Sequence, residues 1–99
     1  MDIPLTGACL IGRIRVKDAE KWATYCSLVP ATLTAWGAAL VSRGAFPLVL
    51  SGTSDETDMV VIRFPDIHAI DGWFRSAAYQ ALIPNRDAAA DVVIVAYGV

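Results

Sequence analysis

Side chains in residues 8–16, ACLIGRIRV, alternate with period two. Leu10, Ile14 and Val16 share one face, and Cys9, Ile11, Arg13 and Arg15 share the other, which predicts a strand. Lys17-Asp18 ends it. Asp18 is a good helix N-cap, and Glu20 in the first turn suits the positive end of the helix dipole. Trp22, Cys26, Val29, Leu33 and Trp36 then recur at gaps of four and three, one stripe along a helix. Pro30 removes a backbone donor and is expected to kink or split that helix; Gly37 stops it.

Residues 39–50, ALVSRGAFPLVL, predict a second strand broken near Gly44 or Pro47. A proline inside a strand favours a sheet edge or a bulge. The polar cluster SGTSDETD at 51–58 is a loop, and MVVIRF at 59–64 is apolar enough for a central strand covered on both sides. Asp66 caps a second helix, with Ile67, Ile70, Trp73 or Phe74, and Ala77 on its buried face. Ser76 caps a short helical stretch, Pro84 and Asn85 interrupt it, and a further turn spans 86–90. VVIVAY at 92–97 is the last strand, ended by Gly98.

The order strand, helix, strand, strand, helix, strand predicts an α+β fold. It is the ferredoxin-like β-α-β-β-α-β sandwich, a four-stranded antiparallel sheet with helices on one face, occupying 1–99 as a single domain. The strands are apolar on both parities: Val60, Ile62 and Phe64 against Met59 and Val61, and Val92 and Ile94 against Val93 and Val95. A second apolar face needs a second cover. In a chain this short the expected cover is another copy of the same sheet, giving a homodimer packed sheet to sheet.

These residues also carry a resemblance. Phe64-Pro65, Ala69, Trp73, Ser76, Tyr79-Gln80, Pro84, Arg86 and Gly98 follow the pattern of the family known as domain of unknown function 1330. The first half is similar as well, in Gly12-Arg13, Asp18, the Trp22–Tyr25 segment, Val29-Pro30-Ala31 and Arg43-Gly44. Where many members have glycine pairs, this chain reads Gly37-Ala38 and Gly44-Ala45. The resemblance implies a dimeric α+β barrel, an architecture shared with antibiotic-biosynthesis monooxygenases and muconolactone isomerases. It implies no single activity, because one fold hosts many chemistries.

Composition narrows the classes. The chain has 99 residues, 56% hydrophobic and 18% charged, which excludes intrinsic disorder. Eight basic and ten acidic residues leave a net charge of −2, so there is no basic excess to neutralise a nucleic-acid backbone. Cys9 and Cys26 form no CxxC pair and read as small buried hydrophobes, and His68 is the only histidine. No metal site and no cofactor are expected. The start MDIPLTGACLIG carries Asp2 and no basic stretch, so it is not read as a signal peptide. The uncharged run at 22–42 has membrane-spanning length but is two-faced and holds Pro30 and several hydroxyls, so no membrane span is expected. The expected setting is a reducing cytoplasm.

For chemistry, Arg13 and Arg63 come first. Their strands are expected to be central neighbours running parallel, with both guanidiniums near the strand ends, where one would hold a substrate carboxylate. A salt bridge to Asp or Glu, or solvent at the sheet end, is the plainer role; Arg15 is read as exposed. Trp73, Tyr79 and Trp22 are read as helix-to-sheet core, or as the wall of a pocket there, with Tyr79 or Tyr97 supplying a hydroxyl. Tyr25 is placed on the polar side of its helix. His68 is read as a surface residue, Arg86 as lying over a last helical turn, and Arg43 as pairing with Asp55 or Glu56. Asp66 and Asp71 are five apart and do not share a helix face.

Two functions from different classes fit this reading. One is a site between sheet and helices for a small carboxylated or aromatic compound, with or without cofactor-free oxygenase or isomerase chemistry. The other is a homodimeric module without chemistry, binding a protein or sensing a metabolite. Whether the chain is an enzyme stays open at this point.

Overall fold

A computed structural model describes residues 7–98. The reading of the N-terminus as no signal peptide rests mainly on residues 1–6, which lie outside that range. The elements are β1 (Ala8–Val16), α1 (Ala19–Leu33) continued by a 3-10 turn (Thr34–Trp36), β2 (Ala39–Ala45), β3 (Asp58–Phe64), α2 (Ile67–Arg75), α3 (Ala77–Gln80), α4 (Ile83–Ala89) and β4 (Ala90–Gly98). The sheet order is β2-β3-β1-β4 with every pair antiparallel, the ferredoxin-like arrangement.

Local signals place most of the boundaries. The Asp18 carboxylate accepts from the Lys21 amide, and Asp66 accepts from Ala69, each capping its helix. Such caps contribute about 1 kcal/mol each. The Ser76 hydroxyl does the same for α3 through Tyr79. Pro30 sits inside α1, which runs on to Leu33 before tightening to 3-10 geometry. Gly37 then takes a left-handed φ of 66°, which a side chain rarely adopts. A Cβ on Gly72 would lie 2.5 Å from the Trp36 ring, so α2 meets that turn only through a glycine.

One expectation is corrected. β1 and β3 are neighbours but antiparallel. The α1 crossover returns the chain to β2 in the direction of β1, two places away, so β3 between them must run the other way. Arg13 lies opposite Met59, and Arg63 opposite Cys9. Four residues of register separate the two arginines, about 13 Å along the strands.

The sheet has two different faces. Ala8, Leu10, Ile62 and Phe64 are buried under the helices with Ile70, Trp73 and Tyr79, and Ile14 is buried on the same side of β1. On the other side lie Cys9, Ile11, Met59 and Val61, half-buried, and Val93, Val95 and Tyr97, exposed. The chain is only 17 Å thick in its shortest dimension, the depth of one helix layer on one sheet. Among the described residues no helix is long and apolar enough to cross a membrane.

Candidate functional site

The helix layer covers the sheet unevenly. α2 packs on β1, β3 and β4, whereas α1 leans on α3 and α4. Beneath α1 the sheet is left open as a cleft of about 710 Å³ floored by residues of all four strands. Its walls are apolar: Trp22, Cys26, Val29 and Leu33 from α1, and Leu10, Leu40, Val60 and Ile62 from the sheet. Gly12, Ala38, Gly44 and Ala45 also line it and add little bulk. A Cβ on Gly12 would stand 2.7 Å from the Val60 side chain at this surface.

Among the described residues two charged groups line the cleft, Arg43 and Asp58. Arg43 arrives there through an irregularity. Leu40 pairs with Ile62, but the register shifts before Ser42, which pairs with Val61. The extra residue, Val41, reverses the alternation, so Arg43 pairs with Val60 and shares the helix-side face with Leu40. Arg43 therefore does not meet Asp55 or Glu56. Arg15 takes Asp55, and Arg13 takes Glu56.

Cys26 sits beside Arg43 and Asp58. Burial pushes its thiol up, Arg43 works against that by charge and by a hydrogen bond, and Asp58 adds to the rise. This yields a signed prediction. In a Cys9→Ala background, the midpoint of the pH–rate profile for iodoacetamide labelling lies above that of a free thiol. Arg43→Ala moves it further up, and Asp58→Asn moves it down. A midpoint that ignores both substitutions would remove Arg43 and Asp58 from the thiol's surroundings.

The tyrosines differ from expectation. Tyr25 is buried, not on a polar helix face, and it lines the cleft. Its hydroxyl lies 2.9 Å from that of Tyr79. Tyr79 is fully buried behind it and accepts from Arg86 Nη1 at 3.1 Å. Burial, then the Tyr79 hydroxyl, pushes the Tyr25 phenol far above its ordinary value. Burial works against the charge on Arg86, but Tyr79 and Asp87 outweigh it and leave its pKa raised. Spacing does carry a signal for Tyr25, since it lies three after Trp22 and four before Val29.

Of the residues singled out from sequence, Trp73 reaches the cleft, and its Nε1 donates to the Thr32 hydroxyl at 3.0 Å. Tyr79 does not line the cleft and is linked to it through Tyr25. Trp22 stacks on Tyr25 with ring centroids 5.1 Å apart. Arg13 and Arg63 are corrected in position: both project from the opposite, open face of the sheet. Alternation from Leu10 and Ile62, which face the helices, leaves them no other side. The guanidinium of Arg13 is held by Glu56, which raises its pKa. Arg15 is exposed and pairs with Asp91, as does Lys17, and these contacts hold Asp91 below the usual carboxylate range. Tyr97 lies exposed on the open face, and His68 is exposed on α2.

The family described as "Domain of unknown function (DUF1330)" matches residues 7–98. No match to a curated protein was found. A Rhodopseudomonas palustris protein of unknown function, RPA0582, superposes with a TM-score of 0.79 at 20% identity, over 94% of this chain and 82% of that one. A dimeric ferredoxin-like protein of unknown function from Jannaschia sp. gives 0.76 at 10% identity, over 93% and 98%. SnoaB, a cofactor-independent oxygenase from Streptomyces nogalater, gives 0.67 at 9% identity, over 95% and 93%. Identities this low establish the shared fold and nothing finer.

Proposed function

The chain belongs to the DUF1330 family, and on that premise we propose that it is a homodimer, joined through its sheet faces, that binds a small carboxylated aromatic compound in the α1–sheet cleft. One observation carries this reading: an apolar cleft of about 710 Å³ with an arginine delivered into it by a strand bulge. That volume lies within the roughly 300–1,000 Å³ of small-molecule sites, which are mostly apolar with a few polar anchors. Trp22 and Trp73 offer aromatic walls, and Arg43 offers a planar fork of donors for a carboxylate. Cofactor-free oxygenase or isomerase chemistry would extend this binding, with Asp58 as the carboxylate at the site. The resemblance of fold to SnoaB supports that extension by analogy alone.

The test uses tryptophan fluorescence with two probes, 2-naphthoate and its uncharged methyl ester. The acid is expected to quench and to bind at least about tenfold more tightly than the ester, the size of one charge-assisted hydrogen bond. Arg43→Ala removes that preference and leaves the ester unaffected. Equal binding of acid and ester to the unaltered protein, or no binding of either, would overturn the proposal.

A further inference from the structure

The loop between β2 and β3 begins with five apolar residues, Phe46-Pro47-Leu48-Val49-Leu50. Phe46 is 96% exposed, Leu48 83% and Leu50 88%. Phe46 also holds a φ of 57°, a left-handed conformation uncommon outside glycine. There the chain turns out of β2, and three large side chains stand in solvent. Apolar surface left in water like this is unfavourable.

We propose that residues 46–50 are an intersubunit arm: in the homodimer each copy lays Phe46, Leu48 and Leu50 against the β4 end of its partner's open sheet face. The proposal rests on the homodimer reading given above. Two observations select a second copy as the occupant.

The first is continuity. The base of the arm adjoins the open face, where a hollow of about 160 Å³ is lined by Gly44, Pro47, Glu56 and Met59. Glu56 there is bound to Arg13 of that face. Arm and face thus form one surface. The second is complementarity. The chain that exposes Phe46, Leu48 and Leu50 on the arm also exposes Val93, Val95 and Tyr97 on its open face, so two copies can cover each other's apolar surface.

Symmetry then chooses the contact. If the two-fold axis runs along the strands, β2 of one copy lies over β4 of the other; if it runs across them, β2 lies over β2. The open face of β2 offers Ser42 and Gly44, both small, with a single larger apolar residue, the bulge residue Val41, beside them. That of β4 offers Val93, 55% exposed, and Tyr97, 53% exposed, with Val95 between them. Apolar matching favours β4, and Val93 lies at the same end of the sheet as the arm, since both Val93 and Met59 pair with Arg13.

The experiment compares dimer dissociation constants by sedimentation for the unaltered protein and for Phe46→Ser/Leu48→Ser/Leu50→Ser. These positions are exposed, so the variant's melting curve serves only to confirm folding. The constant is expected to rise about tenfold or more. In parallel, Leu48→Cys/Val93→Cys in a Cys9→Ser/Cys26→Ser background is expected to give a covalent dimer on mild oxidation. An unaltered protein that dimerises, with the same constant in the triple variant and no cross-link, overturns the arm and leaves the dimer standing. An unaltered protein that is monomeric at tens of micromolar overturns both. A monomer that sediments with phosphatidylglycerol vesicles through these residues would assign the arm to a membrane surface instead, and would likewise overturn the proposal.

Discussion

Trp73→Ala is expected to lower the melting temperature by about 15–30 °C. Trp73 is 2% exposed, its ring lies 4.1 Å from that of Tyr79 and 5.7 Å from that of Phe64, and its indole N–H holds Thr32 of α1. Truncating a buried tryptophan costs about 3–5 kcal/mol. In a domain of this size each kcal/mol moves the midpoint by about 4–8 °C. Trp73 also borders the cleft, so water can enter part of the vacated space, which favours the lower half of the range. Trp73→Phe retains a ring and loses the Thr32 bond, and should recover more than half of the effect. Thermal circular dichroism at one fixed protein concentration measures both. A fall of less than 5 °C for Trp73→Ala would mean that α2 is not pinned to the sheet as described.

Val61→Lys is expected to dissociate the dimer without unfolding the chain. Val61 lies opposite Ile11, which in turn faces Val95, at the middle of the open face. The side chain points away from the helices, so the lysine tail is solvated in a monomer and the helix-side core is untouched. In a sheet-to-sheet dimer it would be buried opposite an apolar surface. An uncompensated buried charge costs about 3–5 kcal/mol, a factor of roughly 10²–10⁴ in the dissociation constant. Sedimentation should show a monomer at micromolar concentration with unchanged far-ultraviolet circular dichroism. A variant that sediments as the unaltered protein would remove this face from the interface.

The architecture was legible because its signals are local. Asp18, Asp66 and Ser76 cap helices within three residues of their partners, Gly37 needs only its own backbone angle, and the alternation in β1 gives both faces of the sheet. Residues 39–50 read as one strand broken near Gly44 or Pro47, and β2 in fact ends at Ala45 on the sheet edge, with Pro47 outside it. The site was less legible because it depends on register and on distant partners. A single extra residue at Val41 moves Arg43 from the open face to the cleft, and alternation carries no warning of that shift. Tyr25 is buried because its hydroxyl meets Tyr79, 54 positions away. Arg13 and Arg63 drew attention as strand arginines, but antiparallel pairing separates them and turns both from the cleft.

The most direct test of the account is a native mass spectrum of the protein equilibrated with 2-naphthoate. The predicted result is two chains carrying up to two naphthoates, with an apparent affinity about tenfold weaker in Arg43→Ala and the dimer retained. A monomer, a dimer that takes up no naphthoate, or an affinity unchanged in Arg43→Ala would contradict it.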